Sequence, residues 1–291
     1  MSPTSDQEVV CCLGQPVAGN PTQYMMEKAF AAAGLDWRYL TCEVPPEKLA
    51  DAMRGLRALS FKGANFTIPH KVAVIPYLDS LSPAAELMGA VNCMNRVDNK
   101  SGGTGVSPVF VGENTDGKGF YQSLREACDP AGLSIVILGA GGAARAIAVE
   151  LALAGAGEIT IVNRAADRGQ SLVDLLRQYT SVKADFTPLT GDYAIPDTAA
   201  IFINATSVGL GDADARLPIA LDSLRPDLIV ADVVFNPPQT WLIRTATDRG
   251  CRTLDGLGML VNQAVISFKI WTGIEPDANV MRDALEEFLE I

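Results

Sequence analysis

The chain has 291 residues and a formal net charge of −11, with 48% hydrophobic and 20% charged residues. This balance is typical of a globular protein, and the length is sufficient for two domains that each bury a core. The negative charge argues against nucleic acid or an anionic membrane as the main partner, although a local basic pocket could still bind an anionic small molecule.

The N-terminal sequence and the cysteines indicate where the protein works. The opening MSPTSDQEVV lacks a basic stretch followed by an apolar one, which predicts no secretory signal. No uninterrupted apolar run reaches the roughly 18–20 residues that span a bilayer. The six cysteines are scattered without a CxxC pair and there is one histidine, so no metal site is expected. Scattered thiols are typical of a reducing compartment, and we expect a cytoplasmic protein.

Short apolar runs alternate with helical patterns in the first half of the chain. Strands are predicted over residues 9–13, 37–42 and 63–68, helices over 22–33 and 47–56, and a hairpin over 94–97 and 109–112. This alternation predicts a mixed or largely parallel sheet. The segment 99–112 is long for a simple hairpin, and we expect a surface elaboration there.

The second half alternates strand and helix more regularly. Strands are predicted over residues 134–138, 158–162, 200–204 and 228–234, and helices over 118–128, 143–154, 167–179, 256–271 and 276–289. This βαβ pattern predicts a parallel, doubly wound sheet. The expected fold class is therefore α/β, with an N-terminal mixed or parallel lobe, a C-terminal Rossmann lobe, and closing helices that pack back on the N-terminal lobe.

A glycine-rich turn joins the strand at 134–138 to the helix that follows. Gly139, Gly141 and Ala144 occupy the positions of a G-x-G-x-x-G/A motif. The first glycine allows a tight turn, the second lets the backbone approach a pyrophosphate, and the small third residue lets helix and strand pack closely. The helix N-terminus offers free N–H groups to the phosphates. The turn predicts a dinucleotide site, and the alternative is a glycine-rich connection that binds nothing.

The end of the next strand bears on the choice between NAD and NADP. NAD sites usually carry an acidic residue there for the ribose 2′-hydroxyl. This chain has Asn163 and Arg164, with Arg168 four residues further on. A guanidinium can bind a 2′-phosphate that a carboxylate would repel, so we expect NADP, with NAD possible. The alternative is that both arginines are solvated surface residues.

Several further motifs occur in one order along the chain. They are G-A-N-F-T-I-P-H-K at 63–71, G-A-V-N at 89–92, N-T-D-G at 114–117, N-A-T-S-V-G at 204–209 and D-G-L-G-M-L-V-N-Q-A at 255–264. Together with the glycine-rich turn and the Asn163–Arg164 pair, they make the chain resemble the shikimate dehydrogenase family over nearly its whole length.

The resemblance implies a substrate-binding catalytic domain over residues 1–116, to which 256–291 return, and an NADP-binding Rossmann domain over 117–255. It implies an active site in the cleft between these lobes. The expected reaction is the reversible NADP-linked oxidation of a ring hydroxyl of shikimate, or of a close analogue, to the 3-dehydro ketone. This reaction belongs to the chorismate pathway of aromatic amino acid biosynthesis.

The resemblance also implies the catalytic groups. The family's catalytic lysine falls on Lys71 and its aspartate partner on Asp116. A base is needed because hydride leaves a carbinol carbon only as the hydroxyl proton is removed. Which of the two groups holds the proton is a property of the coupled pair. Taken singly, Lys71 could be a solvated lysine and Asp116 a turn residue. The neighbouring His70 is expected to point to the opposite face if the strand continues.

The remaining site residues are carried over from the family position by position. Substrate contacts are expected at Asn20, Thr22, Thr67, Asn92, Phe235 and Gln263. Cofactor contacts are expected at Gly139, Ala140, Gly141, Gly142, Ala143, Asn163, Arg164, Arg168, Thr206, Val233 and Gly256.

Three of these positions depart from the family pattern. The family's first loop carries two serines whose hydroxyls bind the substrate carboxylate, and here those positions hold Asn20 and Thr22. A family tyrosine that also contacts the carboxylate falls on Phe235, which has no hydroxyl donor. A site built for a specific polar group discriminates strongly against ligands that lack it. We therefore expect the reacting hydroxyl to be handled as in the family, whereas shikimate itself need not be the best substrate.

Two alternatives accompany the leading prediction. One is a dehydrogenase of the quinate, aminoshikimate or another cyclitol-acid type that uses NAD or NADP. The other is a dinucleotide or metabolite sensor without turnover, which the presence of both Lys71 and Asp116 disfavours because a binding module has little need of a base. In each case the expected partner is a small cyclic hydroxy acid, and the expected assembly is a monomer or homodimer.

Overall fold

The computed structural model describes residues 7–98 and 108–291. The chain divides into two compact units, one comprising Met1–Thr115 and Ala264–Ile291 and the other Asp116–Gln263. Each unit is built on one six-stranded sheet. The surface elaboration expected over 99–112 falls mostly on residues 99–107, which lie outside the described residues.

The first unit contains a mixed sheet flanked by helices. Its elements are β1 (Glu8–Gly14), α1 (Thr22–Ala32), β2 (Trp37–Glu43), α2 (Leu49–Ala58), β3 (Gly63–Phe66), α3 (His70–Ala73), β4 (Ser80–Leu81), α4 (Pro83–Met88), β5 (Cys93–Val97) and β6 (Val109–Glu113). The strand order is β2-β1-β3-β5-β6-β4. β1 runs parallel to β2 and β3, whereas β5 runs antiparallel to β3 and β6. The mixed sheet predicted for this half is therefore present.

The C-terminal segment of the chain completes this first unit. It supplies most of α9 (Gly256–Thr272) and all of α10 (Ala278–Leu289). The ring of Phe268 stacks on Phe30 of α1 with centroids 5.2 Å apart. Trp271 Nε1 donates a hydrogen bond to the Met94 carbonyl at 2.9 Å. The indole lies directly over Gly63, where an added Cβ would approach Nε1 to 2.1 Å. The closing helices thus pack on the first sheet, as predicted.

The second unit contains an all-parallel sheet with helices between its strands. Its elements are α5 (Thr115–Arg125), β7 (Ser134–Leu138), α6 (Gly142–Leu153), β8 (Glu158–Asn163), α7 (Ala166–Tyr179), β9 (Lys183–Pro188), β10 (Ile201–Asn204), β11 (Ile229–Asp232), α8 (Trp241–Asp248), β12 (Arg252–Leu254) and the start of α9. The strand order is β12-β11-β10-β7-β8-β9. The order reverses between β7 and β10, which is where open α/β sheets bind ligands at the carboxyl ends of their strands.

The central strands of this sheet are continuous apolar runs because both of their faces are covered. Every residue of β10 is buried, and so is all of β7 except its first residue. β9 and β12 were not predicted. They lie at the two edges of the sheet and mix exposed with half-buried positions, so their sequences lack a clear apolar pattern. Within the described residues, no helix combines the length and the hydropathy needed to cross a membrane.

Candidate active site

The glycine-rich turn follows β7 at the switch point of the second sheet. Gly139 has φ +119°, and an added Cβ would lie 2.8 Å from the Ala205 carbonyl oxygen, so glycine is required there. Gly141 and Gly142 are exposed, and no atom lies within 4 Å of a Cβ added to either. Gly141 is the N-cap of α6 and provides no side-chain cap, so the first N–H groups of the helix are available to a ligand.

Thr206 lies beside this turn, at the carboxyl end of β10. Its methyl group would be 3.2 Å from a Cβ on Gly139. Asn204 fixes the segment, because its Oδ1 accepts hydrogen bonds from the Thr206 backbone N–H at 3.1 Å and from Thr206 Oγ1 at 2.7 Å. The predicted cofactor residues of β7 and β10 are thus adjacent, on either side of the reversal in strand order.

The predicted 2′-phosphate residues follow β8. Asn163 Nδ2 donates to the Ala165 carbonyl at 2.9 Å and so orders the turn into α7. Arg164 and Arg168 are exposed, and within the described chain neither side chain makes a hydrogen bond or ion pair. A cavity of about 270 Å³ is lined by Ala140, Arg145, Asp167, Arg168, Ser171 and Leu172. Unpaired guanidinium groups beside exposed backbone N–H groups fit the phosphates of a dinucleotide.

Arg145 is a cavity residue that the sequence prediction missed. It lies in the first turn of α6, its Nε is buried, and that atom has no hydrogen-bond partner among the described residues. Burial lowers the pKa of this guanidinium. Its position one helical turn after Gly141 was the available signal. Asp167 places a carboxylate in the same cavity, so the cationic character of this end depends on Arg145 and Arg168 together.

A buried carboxylate organises the loop after β11. Asp232 Oδ1 accepts hydrogen bonds from Asn204 Nδ2 at 2.9 Å and from the Val234 backbone N–H at 3.0 Å. Asp232 Oδ2 accepts one from Thr240 Oγ1 at 2.8 Å. Burial raises the pKa of Asp232, and these hydrogen bonds act against that shift. The network connects the carboxyl ends of β10 and β11 to the N-cap of α8.

The same loop carries the predicted contacts Val233 and Phe235. The Val233 backbone N–H donates to the Asn204 carbonyl at 3.1 Å. Gly256, at the start of α9, lies against this loop, because an added Cβ would be 2.4 Å from the carbonyl carbon and oxygen of Val234. The structure therefore brings the predicted residues Val233, Phe235 and Gly256 to one place in the second unit.

Backbone hydrogen bonds gather the predicted substrate contacts of the first unit at one end of its sheet. The Gln15 N–H donates to the Ile68 carbonyl at 2.8 Å, and the Thr67 N–H donates to the Leu13 carbonyl at 3.0 Å. These bonds join the loop after β1 to the segment after β3. The Val91 N–H donates to the Lys71 carbonyl at 2.7 Å, which places the residue after Val91 beside α3.

Asn20 and Thr22 lie in the loop between β1 and α1. Asn20 Oδ1 accepts a hydrogen bond from the Thr22 backbone N–H at 2.9 Å, and Asn20 Nδ2 donates to Cys12 Sγ at 3.7 Å. Thr22 is buried as the first residue of α1. Burial raises the pKa of the Cys12 thiol to about 11, and the positive charge of Lys71 acts against that shift. Cys12 thus contacts the loop through Asn20 and is near enough to Lys71 for the lysine charge to act on its thiol.

Asn92 is fixed by its neighbours at this end of the sheet. Its Oδ1 accepts a hydrogen bond from the Thr115 backbone N–H at 2.7 Å, and its Nδ2 donates to Thr115 Oγ1 at 3.0 Å. Both residues are buried. Lys71 is half-buried in α3. The structure thus brings Asn20, Thr22, Lys71 and Asn92 together within the first unit.

Asp116 and Gln263 belong to the second unit. Asp116 lies in the first turn of α5. Gln263 lies on α9, with Nε2 donating to the Leu260 carbonyl at 3.1 Å. The two helices are in close contact one turn beyond Asp116, because a Cβ added to Gly119 would lie 2.6 Å from the Gln263 backbone nitrogen. These two predicted residues therefore share one helix pair.

The prediction for His70 assumed that the strand before it continues through residue 70, and that assumption was wrong. The chain does not continue as a strand past Pro69 but turns into the short helix α3, which begins at His70. The imidazole is fully buried, with Nε2 at 2.7 Å from the Val44 carbonyl oxygen. Since a carbonyl only accepts, Nε2 carries the proton in this contact. His70 anchors the segment that presents Lys71 and does not itself face solvent.

Comparison with known proteins assigns the chain to a family. Residues 12–94 match the shikimate dehydrogenase substrate binding domain, residues 124–209 match shikimate / quinate 5-dehydrogenase, and residues 256–286 match the shikimate 5′-dehydrogenase C-terminal domain. Shikimate dehydrogenase (NADP(+)) of Methanopyrus kandleri is 41% identical over 294 residues, which cover 99% of this chain and 98% of that protein. The chain belongs to the shikimate dehydrogenase family. This confirms the family predicted from the motifs.

Solved structures of the shikimate dehydrogenase fold match nearly the whole chain. The ligand-free 5-ketofructose reductase of Gluconobacter sp. strain CHM43 is 46% identical, with a TM-score of 0.92 and coverage of 97% of this chain and 99% of that one. Shikimate 5-dehydrogenase from Listeria monocytogenes, in complex with shikimate and NAD, is 37% identical, with a TM-score of 0.88 and coverage of 97% of both chains. These matches confirm the predicted α/β fold class and the predicted enzyme class, an NAD(P)-dependent dehydrogenase. The roles of individual residues stay predictions.

Proposed function

We propose that the protein is an NADP-dependent oxidoreductase that interconverts a secondary hydroxyl group and a ketone. The first candidate reaction is the reversible oxidation of shikimate, or a close analogue, to the 3-dehydro ketone. The observation that carries the proposal is the exposed glycine turn at the switch point of the second sheet, with unpaired arginines beside it, in a chain of the shikimate dehydrogenase family. This combination supports NADP binding, and the presence of Lys71 and Asp116 favours turnover over a sensor without turnover.

The residues of the second unit fit the cofactor. The N–H groups at the start of α6 would hold the pyrophosphate, and Arg164 and Arg168 the 2′-phosphate. When bound, the nicotinamide ring accepts or delivers the hydride. Gly141 and Gly142 leave the start of α6 open, because no atom lies within 4 Å of a Cβ added to either residue.

Lys71 and Asp116 are the proposed catalytic residues. In oxidation, the reacting hydroxyl gives up its proton as the hydride leaves its carbon, and these two groups would take up that proton. In reduction they would return it to the carbonyl oxygen. The hydrogen bond from Val91 to the Lys71 carbonyl and the burial of His70 fix the backbone that presents the lysine. These contacts give the backbone at Lys71 a defined position.

Replacing the proposed base tests the function directly. Lys71→Ala should lower kcat by about 100- to 10,000-fold, the usual contribution of a general acid–base group. The dissociation constant for NADPH should be unchanged, because the proposed cofactor residues lie in the other unit. Absorbance at 340 nm measures turnover with shikimate, quinate and related polyols against NADP and NAD. Lys48→Ala, which removes an exposed lysine paired with Asp51, is the matched control. Normal turnover in Lys71→Ala would exclude the proposed role.

A second candidate function is favoured by one comparison. The Gluconobacter structure, which is 46% identical to this chain, is that of a 5-ketofructose reductase. Reduction of a keto sugar needs the same hydride and proton transfers, acting on a ligand without a carboxylate. We therefore propose 5-ketofructose with NADPH as the alternative substrate pair. The same absorbance assay distinguishes it from shikimate.

We also propose that the protein works in the cytoplasm as a monomer or homodimer. The six cysteines are all free in the structure, which agrees with a reducing compartment. Size-exclusion chromatography with light scattering would determine the oligomeric state.

A further inference from the structure

We infer that the loop after β1 binds an uncharged, hydroxylated part of the substrate and not a carboxylate. This inference rests on the proposed function and specifies its substrate class. It concerns Asn20 and Thr22, together with the groups that contact them.

The carboxamide of Asn20 is already engaged inside the protein. Its Oδ1 accepts from the Thr22 N–H at 2.9 Å, and one of its amide hydrogens is donated to Cys12 Sγ at 3.7 Å. One amide hydrogen remains for a ligand. The two bonds, made in opposite directions, also prevent the side chain from rotating freely to meet a carboxylate. Asn20 therefore offers a ligand a single hydrogen-bond donor.

The groups beneath the loop are neutral or apolar. The Cys12 thiol, with its pKa raised to about 11 by burial, is uncharged at neutral pH. Thr67 turns its methyl group toward Gly14, because its Cγ2 would be 2.3 Å from a Cβ at that glycine. The positive charge near Cys12 is that of Lys71, which the proposed function assigns to the reacting hydroxyl. A carboxylate bound at the loop would therefore depend on neutral hydrogen-bond donors alone, and Asn20 supplies fewer of these than the family pattern does.

The composition of the loop also favours a neutral ligand over an anionic one. Residues 14–22, GQPVAGNPT, contain no lysine, arginine or histidine. Gln15 Nε2 donates to Glu43 Oε1 at 3.5 Å, so a carboxylate contacts the loop at this residue. An anionic ligand would be repelled by that carboxylate, whereas a neutral one would not.

The Thr22 hydroxyl matches a neutral ligand. Within the described residues it makes no hydrogen bond, and it can both donate and accept. A ligand hydroxyl also donates and accepts, so the pair satisfies both groups. Phe235, in the second unit, has no polar atom on its ring and adds no donor. The two loop positions thus suit a polyhydroxy ketone better than a hydroxy acid.

Two ketones with the same reacting group separate the classes. The purified full-length enzyme is assayed with NADPH against 5-ketofructose, which is neutral, and 3-dehydroshikimate, which carries a carboxylate. We expect kcat/KM for the neutral ketone to be higher by at least about 100-fold. Equal values, or a preference for 3-dehydroshikimate, would overturn the inference and leave the proposed function intact. Failure to reduce either ketone, with NADPH still bound, would overturn both.

Substitution of the three positions provides the second measurement. Asn20→Ser combined with Thr22→Ser and Phe235→Tyr should raise kcat/KM for 3-dehydroshikimate by at least about 10-fold, mainly through a lower KM. Asn279→Ser, the same chemical change on the exposed face of α10, is the matched control. An unchanged preference in a triple variant that retains NADPH binding would count against the loop as its cause, and Asn20→Ser alone serves if the triple variant does not fold.

Discussion

The carboxyl group of Asp232 is buried at the end of β11 and is held by three donors. Burial raises its pKa above the ordinary value of 3.8. The folded protein therefore binds a proton at pH values where the unfolded chain has already lost it. The stabilisation from this group is complete below the ordinary pKa and is lost as the pH rises through the raised folded value.

Asp232→Asn should remove this part of the pH dependence. The amide keeps an oxygen for the bonds from Asn204 and Val234, and it cannot ionise. We expect the free energy of unfolding of the wild type to fall relative to that of the variant as the pH rises above 3.8. Urea unfolding at several pH values measures this difference. Asp222→Asn, at a fully exposed site, is the control and should show no such trend. Parallel curves for wild type and Asp232→Asn would contradict the assignment.

A second feature at the scale of single residues is the pair of arginines that follow β8, Arg164 and Arg168. Arg168 lines the cavity beside the glycine turn and has no partner in the described chain. A charge-assisted bond to a 2′-phosphate contributes about 1.5–3 kcal/mol, which corresponds to roughly a 10- to 100-fold change in affinity.

Arg168→Ala should therefore weaken NADPH binding by about 10- to 100-fold. NADH lacks the phosphate, so its dissociation constant should change little. Fluorescence titration of the reduced cofactors gives both constants. Arg282→Ala removes an arginine from the exposed face of α10 and serves as the control. An equal loss for NADPH and NADH would show that Arg168 does not bind the 2′-phosphate.

At the scale of elements, the turn between β7 and α6 requires glycine at its first residue, Gly139. Gly139 has φ +119° and little room for a Cβ beside the Ala205 carbonyl. Gly55 is its opposite, because it lies inside α2 with nothing within 4 Å of an added Cβ. The two glycines make a matched pair for the same substitution.

Gly139→Ala should destabilise the protein by at least about 1–3 kcal/mol, the cost of backbone strain at such a position. It should also weaken NADPH binding, because the turn must move away from β10. Gly55→Ala should stabilise the protein by about 0.5–1 kcal/mol, since alanine favours a helix interior. Thermal unfolding with and without NADPH measures both effects. The opposite order of stability would mean that the turn tolerates a side chain.

The elements also show where sequence patterns have predictive power. β7 and α6 were predicted within a residue or so, because a strand buried on both faces is a continuous apolar run and the glycine motif marks its end. β9 was missed because an edge strand that carries Lys183 and Asp185 has no such run. The pattern of apolar residues in a sequence reflects which positions are buried. Edge strands are only partly buried, so their apolar pattern is weak.

At the scale of the whole molecule, the motifs predicted the family, the fold class and the residues that gather at one end of each sheet. The side-chain contacts that determine the properties of the site could not be predicted from the sequence. The bond from Asn20 to Cys12 depends on the path of the loop, and the role of Asp232 depends on partners at positions 204, 234 and 240. Arg145 was missed because its cavity forms only when α6 and α7 pack together. Such contacts join segments that carry no common sequence pattern.

Trp271, which lies over Gly63 and donates to Met94, has a consequence for synthesis on the ribosome. The first unit opens the chain but takes its last helices from Ala264–Ile291, whereas the second unit is contiguous. During translation, the nucleotide-binding half can fold as soon as it leaves the exit tunnel. The N-terminal sheet must wait, with its apolar face uncovered, until the final helices are released. Limited proteolysis of stalled nascent chains should therefore find the middle of the polypeptide protected before its beginning.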